Sequence, residues 1–393
     1  MKKILIVMSN MGIGGAEKSL LSFLKALTAG DVQYRVELMV VNPHGEFYSQ
    51  IPEAITQIEP CKELRWLGNG FQKELLTKYF SFRSLWGELR WIAKKKRYPK
   101  QWNAQQKLWD CWKNSIPPLA GEYDAAISYI DGFTNYYVME KVRAKKKILW
   151  VHSEYQKRKY DPAYDRKFFE VAQGIVTISE QCRQCILQEF PQCEEKTFVL
   201  ENITIPRDVI EKSAEGDCPE FFGKLKLLTV ARLNPLKGVD IAVDAAKLLQ
   251  ETGLDFCWLV VGDGPEKNRL QEQIAKCGLQ ERFLLLGSRE NPYPYMKQCD
   301  ILVQPSRVEG KSIVLDEAMI LEKPIVATNY TSVVDSLTHG VTGWIVDMTP
   351  EAVARGIAHL WQNPQLCQKL QENLQALPKE DTALLDRYVK IMF

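Results

Sequence analysis

Short runs of consecutive apolar residues alternate along nearly the whole chain with stretches whose apolar positions recur every third or fourth residue. Runs bounded by turn residues read as strands buried on both faces, and the periodic stretches between them as amphipathic helices. The first half predicts strands at Ile4–Met8, Val36–Val41, Ala125–Ile130, Ile148–Val151, Ile175–Ile178 and Phe198–Leu200. The second half predicts Leu225–Val230, Phe256–Val261, Arg282–Leu286, Ile301–Val303, Ile325–Ala327 and Trp344–Val346. Helical patterns follow several of them, among them Ala16–Leu27, Val239–Leu249 and Glu266–Lys276. This alternation specifies an α/β chain with parallel sheets wound by helices. From Asn202 to Gly223 the rhythm breaks, with Pro206, Gly216, Pro219 and Gly223 and no sustained apolar period, which reads as a linker. The expected organisation is one doubly wound domain over residues 1–205 and a second over 206–375. A charged helix, Glu380–Phe393, within 376–393 would pack back on the first domain.

Composition narrows the classes. A chain of 393 residues with 46% hydrophobic and 25% charged positions is neither fibrous, collagen-like nor largely disordered. With 51 Lys and Arg against 49 Asp and Glu, the net charge of +2 gives no global pull toward nucleic acid, and none is expected as a partner. The apolar run Ile4–Met8 stops at Ser9, short of the roughly 7–15 residues of a signal peptide or the about 20 of a membrane span. The expected location is cytoplasmic. The ten cysteines are scattered and read as reduced thiols; Cys182-Arg183-Gln184-Cys185 has no second pair at zinc-site spacing.

One segment stands apart. Lys62–Lys113 holds thirteen Lys and Arg against Glu63, Glu74, Glu88 and Asp110, together with six of the ten tryptophans. Two readings fit: an interfacial element for anionic lipid, or a helical insertion with its tryptophans in the core and its lysines solvated.

The strongest constellation of chemistry follows the Ile301–Val303 strand, in Pro305-Ser306-Arg307-Val308-Glu309-Gly310-Lys311-Ser312-Ile313, and runs on through Glu317. At the carboxyl edge of an open sheet, backbone donors at Gly310, Lys311 and Ser312 would face phosphate or sugar oxygens. Glu309 stays in the loop while Glu317 lies about 7.5 Å up the helix, so each carboxylate can serve a different part of a ligand. Arg232 and Lys237, after the Leu225–Val230 strand, would converge on one anion and stabilise a departing diphosphate. Gly262-Asp263-Gly264-Pro265 and Leu286-Gly287-Ser288-Arg289 extend the rim, although Gly262-x-Gly264 lacks the dinucleotide fingerprint. In the first half, Gly12–Gly15 forms a strand-to-helix turn, and His152 ends a predicted strand.

Taken together, these motifs resemble glycosyltransferase family 4, the retaining group with the GT-B fold. The resemblance rests on Gly14-Gly15-Ala16-Glu17, His152, Ser179, Asn202, Arg232, Lys237, Gly262–Pro265, the Glu309–Glu317 spacing, Pro324 and Thr342-Gly343. It implies two Rossmann-like domains facing across a cleft and a metal-independent hexosyltransferase, without cofactor, that uses a nucleotide-diphosphate sugar, UDP- or GDP-linked. In the roles it implies, Arg232 and Lys237 hold the diphosphate, Glu317 the ribose, and Glu309 the sugar hydroxyls. Gly310, Lys311, Ser312 and Ile313 line the donor, Gly15 lies near the phosphates, and His152 faces the sugar. The Gly310-Lys311-Ser312 wording is similar to members acting in capsule or lipopolysaccharide assembly. It implies a glycan or lipid-linked acceptor, for which Tyr129, Asp131, Asn135, Tyr136 and Tyr137, after the Ala125–Ile130 strand, are the acceptor-side candidates. With such an acceptor the basic, tryptophan-rich segment is where the enzyme would dock at the inner face of the plasma membrane. Two other readings are a nucleotide-sugar epimerase on the same fold and a silent subunit that aids a partner transferase.

Overall fold

The computed structural model describes residues 1–28, 34–69, 81–218, 220–378 and 382–393. The chain divides into two units, Met1–Ile203 with Thr382–Phe393, and Thr204–Asp381.

The strands of the first unit are β1 (Lys2–Met8), β2 (Tyr34–Val40), β3 (Thr56–Gln57), β4 (Tyr123–Ser128), β5 (Ala144–Val151), β6 (Gly174–Thr177) and β7 (Thr197–Val199). They form one sheet in the order β3-β2-β1-β4-β5-β6-β7, every neighbouring pair parallel. In β1 the last five residues, Ile4–Met8, are fully buried, as an apolar run covered on both faces requires. The predicted strands map onto this sheet within a few residues, and β3 is additional.

The second unit contains β8 (Leu225–Val230), β9 (Phe256–Val261), β10 (Phe283–Gly287), β11 (Ile301–Gln304), β12 (Ile325–Thr328) and β13 (Trp344–Val346). Their order is β10-β9-β8-β11-β12-β13, again parallel throughout. Both units are therefore doubly wound, Rossmann-like layers of the GT-B kind. Each order reverses once, between β1 and β4 in the first sheet and between β8 and β11 in the second, and such a switch point opens a crevice at the carboxyl edge.

The expected linker is corrected. Within Asn202–Gly223 the residues Pro206–Ser213 form a helix of the second unit, with Val209 buried in its core. Pro206 does not break this helix, because at the first helical position its missing N–H costs nothing. The boundary falls at Ile203/Thr204 rather than 205/206, and the chain returns to the first unit at Thr382 rather than 376. Of the predicted terminal helix, Glu380 lies outside the described residues, as do Pro219 of the linker and Lys73, Glu74 and Lys78 of the basic segment. The described part, Thr382–Met392, packs Tyr388 against Phe23 and Trp150, and the Tyr388 hydroxyl donates to the Glu201 carbonyl at 2.6 Å.

The basic segment is helical over Lys62–Asn69, Phe82–Lys94 and Ala104–Trp112. Trp66, Trp109 and Trp112 are buried in the first unit's core, with Trp91 and Trp102 packed partly against it. Gln106 fastens the last of these helices: its side-chain amide donates to Asp165 at 2.8 Å and to the Asp161 carbonyl at 3.0 Å. Among the described residues no helix is long and apolar enough to cross a membrane.

Candidate active site

The second unit assembles its polar cluster at the switch point. After β8, the Asn234 side chain accepts from the backbone N–H groups of Leu236 and Lys237, at 3.0 and 3.2 Å, and sets Lys237 in a short turn. Gly238 ends that turn in the left-handed region, and a Cβ there would fall 1.9 Å from the Pro305 carbonyl oxygen. Only glycine lets the loops after β8 and β11 approach so closely. A bidentate Arg307–Asp240 pair, both contacts at 2.7 Å, and the Arg307 N–H donating to the Leu236 carbonyl fasten the two loops together.

This brings Lys237 onto Glu309. The ammonium donates to Oε1 at 2.7 Å and to Oε2 at 2.6 Å, and the carboxylate is only 8% exposed. Oε1 also accepts from Gln304 Nε2 at 2.9 Å and from the Ser306 hydroxyl at 2.7 Å. Gln304 Nε2 gives its other bond to the Ser312 hydroxyl at 2.7 Å, and Ser332 holds the Glu309 carbonyl at 2.9 Å. Among the described residues, Oε2 accepts from Lys237 alone.

The helix that follows, Ile313–Ile320, starts after Ser312, as the sequence reading of the two glutamates assumes. Glu317 is 1% exposed and accepts from the buried Tyr293 hydroxyl at 3.1 Å, so the two glutamates have separate partners. Lys311 and Ile313 occupy the helix entrance beside Gly310 and Ser312, whose backbone N–H groups have no protein acceptor among the described residues. Arg232 is exposed at the end of β8, its guanidinium without an ion-pair partner among the described residues. Of the two cations expected to converge on one anion, Lys237 is engaged by Glu309.

The glycines after β9 and β10 hold protein against protein. A Cβ at Gly262 would fall 2.0 Å from the Ala231 carbonyl oxygen, and one at Gly264 would fall 2.3 Å from that of Leu233. The Gly262 N–H donates to the Gly287 carbonyl at 2.9 Å. Gly262 and Gly264 thereby lock the loop after β9 onto the loop after β8.

In the first unit, Gly15 opens the helix Gly15–Thr28, and none of Gly12, Gly14 or Gly15 adopts a positive φ. His152 follows β5, its ring beside Tyr129 with centroids 5.1 Å apart, and its Nε2 is buried without a partner among the described residues. Burial pushes the imidazole down to about 4, against the opposing pull of Asp131 and the Tyr129 backbone. His152 should therefore stay neutral at pH 6, with a midpoint near 4 in the NMR signals of its ring. A midpoint near the ordinary 6.5 would mean that the ring is solvated.

The acceptor-side candidates are corrected. Tyr129, Tyr136 and Tyr137 are all 2% exposed or less, and their rings belong to the interior. Tyr129 shares a hydrogen bond of 2.8 Å with Ser19, and Tyr136 donates to Asp165 at 2.7 Å. Asp131 is paired with Arg158 at 2.6 Å and accepts from Tyr160 at 3.0 Å; Asn135 is buried. Gln304, Ser306 and Tyr293 were not singled out from sequence. A polar residue closing the apolar run Ile301-Leu302-Val303-Gln304 is the signal that marks the first of them.

A family model described as "Glycosyl transferases group 1" matches residues 219–376, which include every polar group of this cluster. Over residues 219–376 the chain is thus similar to the group 1 glycosyl transferases. The chain is 33% identical over 156 residues to an alpha-D-kanosaminyltransferase of Streptomyces kanamyceticus, covering 39% of this chain and 40% of the relative. It is 30% identical over 142 residues to an amylovoran biosynthesis glycosyltransferase of Erwinia amylovora, covering 34% of each. The chain thus spans less than half the length of these two curated relatives. The fold extends further. An Anabaena protein solved with UDP and glucose aligns over 99% of this chain and 98% of its own, with a TM-score of 0.70 at 19% identity. Sucrose-phosphate synthase of Thermosynechococcus elongatus aligns over 100% and 98%, with a TM-score of 0.69 at 16% identity.

Proposed function

We propose that the chain is a retaining glycosyltransferase that moves a sugar from a nucleotide-diphosphate donor to a saccharide acceptor, free or lipid-linked, in cell-surface polysaccharide assembly. The observation that carries this reading is the doubly bonded Lys237–Glu309 pair at the switch point of the second sheet, inside the group 1 match. In this reading the donor diphosphate draws Lys237 off Glu309 and onto its own oxygens, beside Arg232. That exchange leaves Oε2 open to a donor-sugar hydroxyl, while Gln304 and Ser306 keep Oε1 in place. Glu317 serves the ribose, and Gly310 and Ser312 supply backbone donors to the donor group.

Chemically, the bond from the anomeric carbon to the diphosphate breaks as the acceptor oxygen bonds to the same face. The departing phosphate oxygen takes the acceptor proton, and the products are the glycoside and the nucleoside diphosphate. Fixed cations aimed at the charge that develops on the leaving group lower the barrier without reorganising during reaction.

A thermal-shift panel of UDP- and GDP-sugars identifies the donor, since a ligand held only by the native state raises its melting point. With that donor, transfer should continue at an unchanged rate in EDTA, and NMR of the product should show the donor's anomeric configuration retained. Strict dependence on a divalent ion, or an inverted product, would overturn the corresponding part of the proposal.

A further inference from the structure

We propose that the outward face of the Phe82–Lys94 helix docks this protein on an anionic lipid surface, an inference that goes beyond the transfer reaction. The helix is pinned by its other face. Ser84 and Gly87 are buried, and a Cβ at Gly87 would lie 2.8 Å from the Trp112 ring, so the helix backbone sits directly on that indole. Glu88 accepts from Trp66 Nε1 at 2.7 Å, and the Ser81 hydroxyl, which caps the helix, donates to Glu63 at 2.6 Å.

What faces away is apolar. Phe82 is 80% exposed, Trp86 63%, Ile92 60%, Leu89 49% and Leu85 43%. At 100° per residue these five fall within an arc of about 120°, a continuous stripe and not a scatter of single exposed residues. The inward residues Ser84, Gly87, Glu88 and Trp91 occupy the opposite arc. Arg83, Arg90 and Lys94 lie along one flank of the stripe, and the exposed run Lys95-Lys96-Arg97 continues the charge beyond the helix. The sole acid of the helix, Glu88, is committed to Trp66.

Charge selects the occupant. A second copy seated on this stripe would bring the same cations against these. An anionic bilayer neutralises the flank while its acyl boundary takes up Phe82, Trp86 and Ile92, and an indole suits that boundary with one apolar and one polar edge. In this proposal the segment combines the two sequence readings: its other described tryptophans pack inward, and the exposed side that carries Trp86 meets lipid.

Flotation with phosphatidylcholine vesicles, with and without phosphatidylglycerol, tests the assignment. The protein should float with the phosphatidylglycerol vesicles only, and less so as salt is raised. Changing Lys94, Lys95, Lys96 and Arg97 together to Gln should weaken binding by about a hundredfold or more. Phe82→Glu with Trp86→Glu should abolish it, while the melting temperature and its shift by UDP stay at wild-type values, which keeps this result separate from the catalytic reading. Absence of flotation with anionic vesicles, or flotation unchanged in both variants, overturns the proposal. So does a dimer in sedimentation equilibrium that the Phe82→Glu, Trp86→Glu variant abolishes, since it would assign the face to a second copy.

Discussion

Lys237→Ala should lower turnover of the nucleotide-sugar donor by about a thousandfold, with the second unit still folded. Among the described residues Lys237 is the one cation paired with Glu309, whose other side-chain partners, Gln304 and Ser306, are uncharged. Removing it strands a mostly buried carboxylate, at a cost on the order of 2 kcal/mol in folding stability, and removes a fixed charge from the leaving diphosphate. Glu309→Ala should match it in turnover and cost less stability, because Lys237 is partly exposed and can be solvated. Glu309→Gln separates the two contributions. It keeps an acceptor for Gln304 and Ser306, preserves the melting temperature, and still loses most of the rate if the carboxylate meets a sugar hydroxyl. A purely structural pair would behave in the opposite way: the alanine variants would melt lower yet turn over donor near the wild-type rate, and that result would remove both residues from the mechanism.

Why the cluster was legible and the acceptor side was not follows from where the partners lie. Glu309, Gly310, Ser312 and Glu317 sit within one loop and one helix turn of each other, so spacing alone places them at a sheet edge. Lys237 lies in the turn that follows a neighbouring strand, and only the parallel order brings it there. Strands such as Phe256–Val261 announce themselves because every residue is buried. By contrast, β3 has two exposed polar residues at the sheet's edge and leaves no apolar trace. The tyrosines after β4 misled for a different reason. A hydroxyl on a loop next to a strand end looks available to a sugar, but Tyr129 is satisfied by Ser19, 110 residues earlier, and Tyr136 by Asp165. No local pattern encodes such pairings. The close backbone neighbours of Gly262 and Gly264, in the loop after β8, are likewise encoded in no local pattern.

Asp165→Ala is expected to have the second largest effect, a loss of about 3 kcal/mol or more in the stability of the first unit, read by chemical denaturation. Its carboxylate is buried and accepts from Tyr136 and Tyr155, each at 2.7 Å, and from Gln106 at 2.8 Å. It therefore ties the Pro162–Val171 helix to the Tyr136 helix and, through Gln106, to the tryptophan-bearing Ala104–Trp112 helix. Alanine leaves three buried donors without an acceptor, whereas Asp165→Asn keeps one oxygen and should cost less. The two variants also separate by pH. Burial raises Asp165 from 3.8 to about 6, against the pull of its three donors. Its contribution is thus complete below about 3.8 and lost as pH rises through 6. His152 runs the other way: its lowered value makes its contribution complete above 6.5 and lost as pH falls toward 4. In the wild type the two slopes oppose each other between pH 4 and 6, and stability changes little there on their account. Asp165→Asn removes one of them, so its stability relative to wild type should improve by roughly 3 kcal/mol from pH 4 to pH 7. A difference that does not vary with pH would mean that Asp165 is ionised throughout and that its three donors outweigh its burial.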